Sequence, residues 1–223
     1  MNLKEKLEIR TGVTALIGGG GKTTCMYALA QELSADAKVI VCTSTHIYPP
    51  AHLHCLVSPE AEEVRQTLQR ENLICIGTNS KEGKFGVPNL PFSGLAELAD
   101  YVIVEADGSR GRPLKAHASH EPVIPENANQ VVLLLGISGI GKTILEAAHR
   151  PELYSERLGV SEDTVVKPEL AAEYLKLENL HTRVLINQVE TAEQKADAEE
   201  IARQLNCPAC AGALQKGWME CLF

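Results

Sequence analysis

The sequence predicts an α/β protein in which helices flank a mostly parallel sheet. Short apolar runs rich in β-branched residues recur along the 223 residues, and such runs are typical of strands buried on both faces. Helical patterns separate several of these runs, and strands that alternate with helices build parallel sheets. We find no repeat, low-complexity segment or linker, so we expect a single domain over residues 1–223.

Six apolar runs are the candidate strands, and four amphipathic stretches are the candidate helices. The strands are VTALI (13–17), KVIVCT (38–43), LICIG (73–77), YVIVEA (101–106), VVLLLG (131–136) and RVLIN (183–187). The helices are TTCMYALAQEL (23–33), PEAEEVRQTLQREN (59–72), PELAAEYLKL (168–177) and TAEQKADAEEIARQL (191–205). Pro168 suits the first position of its helix, where a missing backbone N–H costs nothing.

Composition excludes several classes of protein. The net charge of −8 argues against a general nucleic-acid binder, which needs a basic face. No apolar stretch approaches the roughly 20 residues that span a bilayer, so we expect no membrane partner. The charged N-terminal stretch MNLKEKLEIR lacks a signal core, which favours a cytoplasmic protein. Seven cysteines without regular spacing indicate free thiols in a reducing compartment.

The stretch GGGGKTT (18–24) follows the first candidate strand. It departs from the pattern G-x-x-x-x-G-K-[ST], because Leu16 stands where the first glycine belongs. Backbone amides at a strand-to-helix turn still favour an anion, and Lys22 would reach the β- and γ-phosphates of a nucleotide. The alternative is a tight turn with a surface lysine. The predicted nucleotide-binding set here is Gly18, Gly19, Gly20, Gly21, Lys22, Thr23 and Thr24.

A second glycine run, GISGIGKT (136–143), fits the full pattern, yet we do not assign it to a nucleotide. The helix that follows it would meet Pro151 after about two turns. The one clear strand beyond it ends in Asn187 and supplies no carboxylate for Mg²⁺. We therefore expect Lys22, and not Lys142, to bind phosphate.

The strand YVIVE places two acids at its end, Glu105 and Asp107, before Gly108. We interpret it as a Walker B-like strand whose carboxylates hold Mg²⁺ directly or through water, or position an attacking water. The Thr23 hydroxyl would share the metal, and Lys22 completes the predicted catalytic set with Glu105 and Asp107. The alternative is a pair of solvated acids in a turn. TSTH (43–46) offers hydroxyls near the γ-phosphate or simple capping.

The stretch LINQVE (185–190) is similar to the N-K-x-D motif that GTP-binding proteins carry at a strand end. Asn187 and Glu190 keep the amide and the carboxylate, while Gln188 replaces the lysine. A carboxylate that accepts from guanine N1–H and its 2-amino group would reject adenine, so GTP is favoured over ATP. AGAL (211–214) could add backbone amides. The alternative is an ordinary strand end and loop.

Six motifs in this order resemble the YqeC-like family, which is described as accessory to selenium-dependent molybdenum hydroxylases. They are GGGGKTT, TSTHIYPP, VEADGSRGRPLKAH, HRPEL, KPELAAEYL and LINQVE. The resemblance runs from about residue 10 to about residue 217, and EADGSRGRPLKAH is its most specific part. It implies a P-loop NTPase fold, with Mg²⁺ as cofactor and GTP or ATP as ligand. It also implies that a molybdenum hydroxylase or its maturation factors are partners.

Two further groups carry open hypotheses. Arg110, Arg112, Lys115 and His117 could bind the γ-phosphate, an anionic cofactor or a partner, or form a solvated basic loop. In CPAC (207–210), Cys207 and Cys210 could act as a dithiol, although structural thiols are the favoured interpretation. A four-coordinate zinc site would need two more ligands than this motif offers.

The sequence thus favours a Mg²⁺-dependent NTPase, GTP-preferring, that assists maturation of a selenium-dependent molybdenum hydroxylase. Two other functions use the same loop. One is a nucleotide-dependent scaffold or carrier for a cofactor or selenium species with little turnover, and the other is a small-molecule kinase. The client enzyme, the delivered species and the oligomeric state are not specified by the residues.

Overall fold

The computed structural model describes residues 2–222 and contains one ten-stranded sheet and one two-stranded sheet. The strands are β1 (Gly12–Gly18), β2 (Val39–Thr43), β3 (His54–Val57), β4 (Leu73–Asn79), β5 (Phe85–Gly86), β6 (Tyr101–Glu105), β7 (Leu114–Lys115), β8 (Ala128–Gly136), β9 (Ala148–His149), β10 (Arg183–Asn187), β11 (Ala209–Ala213) and β12 (Trp218–Cys221).

Eight α-helices accompany these strands in the described part of the chain. They are α1 (Leu3–Lys6), α2 (Lys22–Leu33), α3 (Ala61–Leu68), α4 (Phe92–Leu98), α5 (Ile144–Ala147), α6 (Pro151–Leu158), α7 (Pro168–Glu178) and α8 (Ala192–Gln204). Short 3₁₀ turns lie at Lys81–Gly83, Ile137–Gly139 and Leu214–Lys216. None of the helices between residues 2 and 222 is long and apolar enough to cross a membrane.

The large sheet has the strand order β12-β11-β10-β8-β1-β6-β2-β4-β3, and β5 adds to β4. All of its pairings are parallel except β11 with β12 and β4 with β5. The predicted α/β class, with a mostly parallel sheet flanked by helices, is therefore confirmed. Since β1 lies between β6 and β8, the loop that follows β1 sits at the middle of the sheet.

Alternate residues of the central strands pack into opposite layers, as the pleat of a strand requires. Leu16 of β1 joins Met26 and Leu29 of α2 in one apolar layer. Ile17 of β1 packs on the other face, in a layer that includes Tyr154 of α6 and helices α7 and α8. Strand β1 is thus buried on both sides, and this fixes the position of the residues at its end.

The structure contains the six strands and four helices that the sequence predicts, with altered ends. The helix predicted over 59–72 spans only Ala61–Leu68, and the last predicted helix starts after Thr191, whose side chain caps it. Strand β11, with the sequence ACAGA, was not predicted, because alanine and glycine do not give a β-branched pattern. The extent of a single domain over 1–223 stays a prediction.

Candidate functional site

The glycine loop joins β1 to α2 at the carboxyl edge of the large sheet. Gly18, Gly20 and Gly21 have φ values of 92°, 81° and 115°, a region that glycine adopts without steric cost. A Cβ on Gly18 would lie 2.3 Å from the Leu134 carbonyl oxygen, and one on Gly20 would lie 2.3 Å from the Gly136 nitrogen. The glycines are therefore required by close backbone packing as well as by any anion they receive.

Lys22 is the first residue of α2, and its side chain turns inward under the loop. It is 3% exposed, its Nζ lies 2.9 Å from Oδ1 of Asp107, and it donates to the Gly18 carbonyl. The alternative interpretation, in which Lys22 is a surface lysine, is therefore wrong. Strand, glycine loop and lysine-initiated helix together form the P-loop type of supersecondary unit.

Asp107 is fully buried beyond the end of β6 and has partners on several sides. Its Oδ2 accepts from the Gly18 backbone N–H at 2.7 Å and lies 2.6 Å from Nε2 of His117, with Lys115 Nζ at 3.6 Å. Burial acts to raise the pKa of Asp107, but the hydrogen bond from His117 and the charges of Lys22 and Lys115 hold it well below its usual range. The carboxylate therefore stays charged.

Glu105 ends β6 and faces the second residue of α2. The Thr23 hydroxyl donates to Oε2 of Glu105 at 2.7 Å. Glu105 is 8% exposed, whereas Thr23 is exposed, so the pair lies at the border between the interior and solvent. Burial raises the pKa of Glu105 even though Lys22 is near. Because Glu105 and Asp107 are both buried, the alternative interpretation, a pair of solvated acids in a turn, is wrong.

His117 connects Asp107 to a residue that the sequence analysis missed. Its Nδ1 lies 2.7 Å from Oε2 of Glu178, the last residue of α7. Since both ring nitrogens face carboxylates, which only accept hydrogen bonds, the ring donates from both and carries a positive charge. Burial acts to lower the pKa of His117, but the hydrogen bonds to Asp107 and Glu178 raise it. No motif or spacing indicated Glu178.

Glu178 is itself held by α6 and α7. The Tyr174 hydroxyl donates to its Oε1 at 2.7 Å, and Arg157 forms an ion pair with the same oxygen. Tyr174 also stacks on Tyr154, with ring centroids 3.7 Å apart. A buried series of alternating charges thus runs from Lys22 through Asp107 and His117 to this helix pair.

A cavity of about 410 Å³ opens beside the glycine loop, on the side of β10 and β11. Its lining brings together four of the predicted nucleotide-binding residues, Gly21, Thr24, Asn187 and Glu190. The other lining residues are Ser138, Gln188, Gln194, Ala213, Leu214 and Gln215. This volume lies within the range of small-molecule binding sites.

Asn187 ties three segments together at the base of this cavity. Its Nδ2 donates to the Gly20 carbonyl at 2.8 Å, and its Oδ1 accepts from the Leu214 N–H at 3.1 Å. The Leu214 amide is therefore already engaged. Gln188 has a φ of 68° and accepts from the Ser138 hydroxyl at 2.6 Å. Glu190 lies at the rim, where its Oε2 is 2.6 Å from Nζ of Lys216.

Comparison with known proteins identifies the family of this chain. A family model described as "YqeC protein" matches residues 14–152, which include the glycine loop, the acidic strand end and His117. The chain belongs to the YqeC family. "Uncharacterized protein YqeC" from Escherichia coli (strain K12) is 30% identical over 166 residues. That match covers 71% of this chain and 65% of the relative, just under two thirds of the relative's length.

A solved structure is also similar to this YqeC-family chain. It is a ParA family ATPase from Chlorobium tepidum TLS, with a TM-score of 0.47 and 15% sequence identity. The likeness covers 91% of this chain and 83% of that one. At this distance it transfers no residue role and no ligand.

The second glycine run of the YqeC-family chain has a packing role. Gly136 ends β8, a 3₁₀ turn follows, and Thr143 caps the four-residue helix α5. Lys142 is exposed. A Cβ on Gly136 would lie 2.6 Å from Oε1 of Gln188 and 3.0 Å from Cα of Gly20. The run therefore supports the first loop and lacks a long helix of its own.

The hydroxyls of TSTH and the basic residues beyond Asp107 are mostly engaged locally. Thr43 and Ser44 donate to the backbone carbonyls of Glu105 and Val123, and no helix begins there for them to cap. Lys115 is buried, with its Nζ 3.1 Å from Glu121. Arg110 and Arg112 are exposed. Arg112 donates to the Glu146 carbonyl, and the exposure of both arginines leaves them accessible to an external anion or a partner.

Proposed function

We propose that this protein binds a Mg²⁺–nucleotide at Gly18–Gly21 and Lys22 and hydrolyses it, with GTP preferred over ATP. One observation carries the proposal. The start of α2 presents Lys22 and Thr23 to the buried acids Asp107 and Glu105, at distances of 2.9 and 2.7 Å, directly beside a cavity of about 410 Å³. Phosphate, metal and base subsites are therefore contiguous.

The residues present fit Mg²⁺. Hydroxyl and carboxylate oxygens are the donors this ion prefers, and Thr23 with Glu105 supplies one of each. Within residues 2–222 no group of three or more His, Cys, Asp or Glu side chains is placed to hold a metal. An ion here would therefore complete its shell with water and nucleotide phosphates, as Mg²⁺ usually does. Bound Mg²⁺ would neutralise charge on the phosphoryl oxygens.

Asp107 belongs to the proposed catalytic and metal set through water rather than by direct contact. Its oxygens already receive Lys22, the Gly18 N–H and His117. Phosphate binding would draw Lys22 toward the ligand, and Asp107 would keep its charge because His117 and Lys115 still face it. This leaves a fixed anion whose freed oxygen can orient a water molecule.

Base preference is assigned to the cavity. Glu190 lies on its rim with Oε1 outside the ion pair to Lys216, so the carboxylate can accept from guanine. Adenine has an acceptor at N1 and no 2-amino group, so it offers that carboxylate neither of the two donors that guanine offers. Asn187 contributes by holding Gly20 and Leu214 in place.

The biological role is proposed from the motif resemblance alone. We propose that nucleotide turnover assists maturation of a selenium-dependent molybdenum hydroxylase, with that enzyme or its maturation factors as partner. The exposed residues Arg110 and Arg112, beside the phosphate loop, are where a partner would sense the nucleotide.

Two measurements test the biochemical proposal. Equilibrium titration with a fluorescent GTP analogue, with and without Mg²⁺, should show binding that the metal strengthens. Phosphate release with no acceptor present identifies an NTPase, whereas nucleoside diphosphate that forms only with an added acceptor, with the phosphoryl group on that acceptor, identifies a kinase. Stable binding without turnover indicates a scaffold, and absence of binding to both GTP and ATP contradicts the proposal.

A further inference from the structure

Cys210 and Cys221 face each other across the edge hairpin formed by β11 and β12. They are register partners in the antiparallel pair, and their Sγ atoms lie 3.6 Å apart. Both sulfurs point at the Lys6 carbonyl oxygen, at 3.2 and 3.7 Å. Cys221 is exposed and Cys210 is buried, so a reagent in solution meets Cys221 first.

The spacing of CPAC suggested a different partner for Cys210, and the structure separates that pair. Cys207 packs against the apolar layer that contains Tyr154, whereas Cys210 belongs to the opposite layer, with Met26 and Leu29. The two thiols of the C-x-x-C motif therefore contact different faces of the sheet. Residues directly opposite in an antiparallel pair have Cα atoms about 4.5–5.5 Å apart, within the range a disulfide needs.

We infer that Cys210 and Cys221 form a site of reversible disulfide formation with low-molecular-weight disulfides such as glutathione disulfide. The Cys221 thiolate attacks one sulfur of the reagent and expels one glutathione as its thiolate. Cys210 then loses its proton to solvent, attacks Sγ of Cys221 and expels the second glutathione. Two protein thiols are oxidised to one disulfide, and the reagent is reduced to two thiols.

The order of these steps follows from the surroundings of the two sulfurs. Burial raises the pKa of the Cys210 thiol to about 12. Cys210 is therefore the resolving thiol, and ring closure is the slower step, which accelerates as pH rises.

The bond would act on the wall of the cavity described above. The turn between β11 and β12 contains Leu214 and Gln215, which line that cavity, and Lys216, which pairs with Glu190. A disulfide at the open end of the hairpin restricts this turn. This step rests on the proposed function. We expect the oxidised protein to bind nucleotide more tightly, because the restricted turn has less conformational freedom to lose on binding.

The site is tested on the folded full chain with glutathione disulfide, followed by intact mass, alkylation and peptide mapping. In the wild type and in Cys207→Ser we expect a loss of about 2 Da in the intact mass taken before alkylation, and one Cys210–Cys221 bond in the peptide map, both reversed by dithiothreitol. Cys221→Ser should form no bond. A Cys207–Cys210 bond, a glutathione adduct that persists on Cys221, or unmodified thiols would each overturn the inference.

The effect on the cavity needs a second measurement on the Cys207→Ser protein, reduced and oxidised. Titration with the fluorescent GTP analogue should give a Kd about threefold lower in the oxidised form. Cys221→Ser, treated identically, should show no change. Equal Kd values for the reduced and oxidised forms would contradict the inferred effect of the disulfide on nucleotide binding. If neither form binds nucleotide while the bond still maps to Cys210 and Cys221, the proposed function fails and the thiol site stands.

Discussion

Nε2 of His117 lies 2.6 Å from Oδ2 of Asp107, and both side chains are almost completely buried. Asp107 in turn lies against Lys22 at the start of α2, while the other nitrogen of His117 faces Glu178 at the end of α7. The glycine loop and the α6–α7 helix pair are thereby joined through four charged groups. Each charge is stabilised by its neighbours, and removal of one group would leave a buried charge without a partner, which is strongly destabilising.

Replacement of His117 by Gln should destabilise the fold by about 3 kcal/mol, because two buried carboxylates lose their shared cation. Urea unfolding measures this loss. His120→Gln, at an exposed position, is the control and should change stability by about 0.5 kcal/mol or less. If both variants unfold at the wild-type midpoint, the ring does not hold these carboxylates.

The loss in His117→Gln should depend on pH. The folded-state pKa of His117 is raised above its ordinary value of 6.5, so its stabilisation is complete below that value and declines as pH rises through the folded pKa. Unfolding at about pH 6 should therefore separate wild type and variant more than unfolding at about pH 9. A difference that grows toward alkaline pH would contradict the charged ring.

Lys22→Ala should abolish Mg²⁺–nucleotide binding, whereas Lys142→Ala should retain most of it. Lys22 lies at the loop beside Asp107, while Lys142 is exposed before the short helix α5. The two variants remove the same side chain from two similar strings, so each controls for the other. Titration with a fluorescent nucleotide measures both, and loss of binding only in Lys142→Ala would sink the assignment of the loop.

Asp107→Asn should reduce turnover more than nucleotide affinity, since placement of water and charge matters most in the transition state. Steady-state kinetics of phosphate release give kcat, and titration gives Kd. Asp163→Asn, an exposed acid far along the chain, serves as the matched control. An unchanged kcat in Asp107→Asn would leave the buried carboxylate with a structural role alone.

Base choice depends on Glu190. A bidentate contact is worth roughly 1–3 kcal/mol, so GTP should bind about five to 150 times more tightly than ATP. Glu190→Ala should flatten this difference, mainly by weakening GTP, while Glu193→Ala, an exposed acid in the first turn of α8, should preserve it. Competition between GTP and ATP at fixed Mg²⁺ measures the ratio. Equal affinities in the wild type would remove the GTP preference and leave the phosphate site intact.

The sequence predicts the centre of this site well, because local signals act there. An apolar run, four glycines and a lysine specify β1, the loop and α2, and a second apolar run that ends in acids specifies β6. Contacts across the fold are different in kind. Glu178 meets His117 only because α7 packs on the sheet, and Cys210 meets Cys221 only because a turn at 214–217 reverses the chain. The C-x-x-C spacing suggested Cys207 as the partner of Cys210. Two residues that are close in sequence can still contact opposite faces of a sheet, as these two do.

The contact among Gly20, Pro113 and Gly136 bears on how this loop can be engineered. A Cβ on Gly136 would meet Cβ of Pro113 at 2.8 Å and Cα of Gly20 at 3.0 Å, so three distant segments touch at one point. The loop takes its shape from that junction as much as from its own four glycines. Residues 12–33 transplanted into another scaffold would keep the glycine-rich sequence but would lose the backbone segments at Pro113 and Gly136 that pack against the loop. The smallest portable module therefore includes the segments around residues 113 and 136.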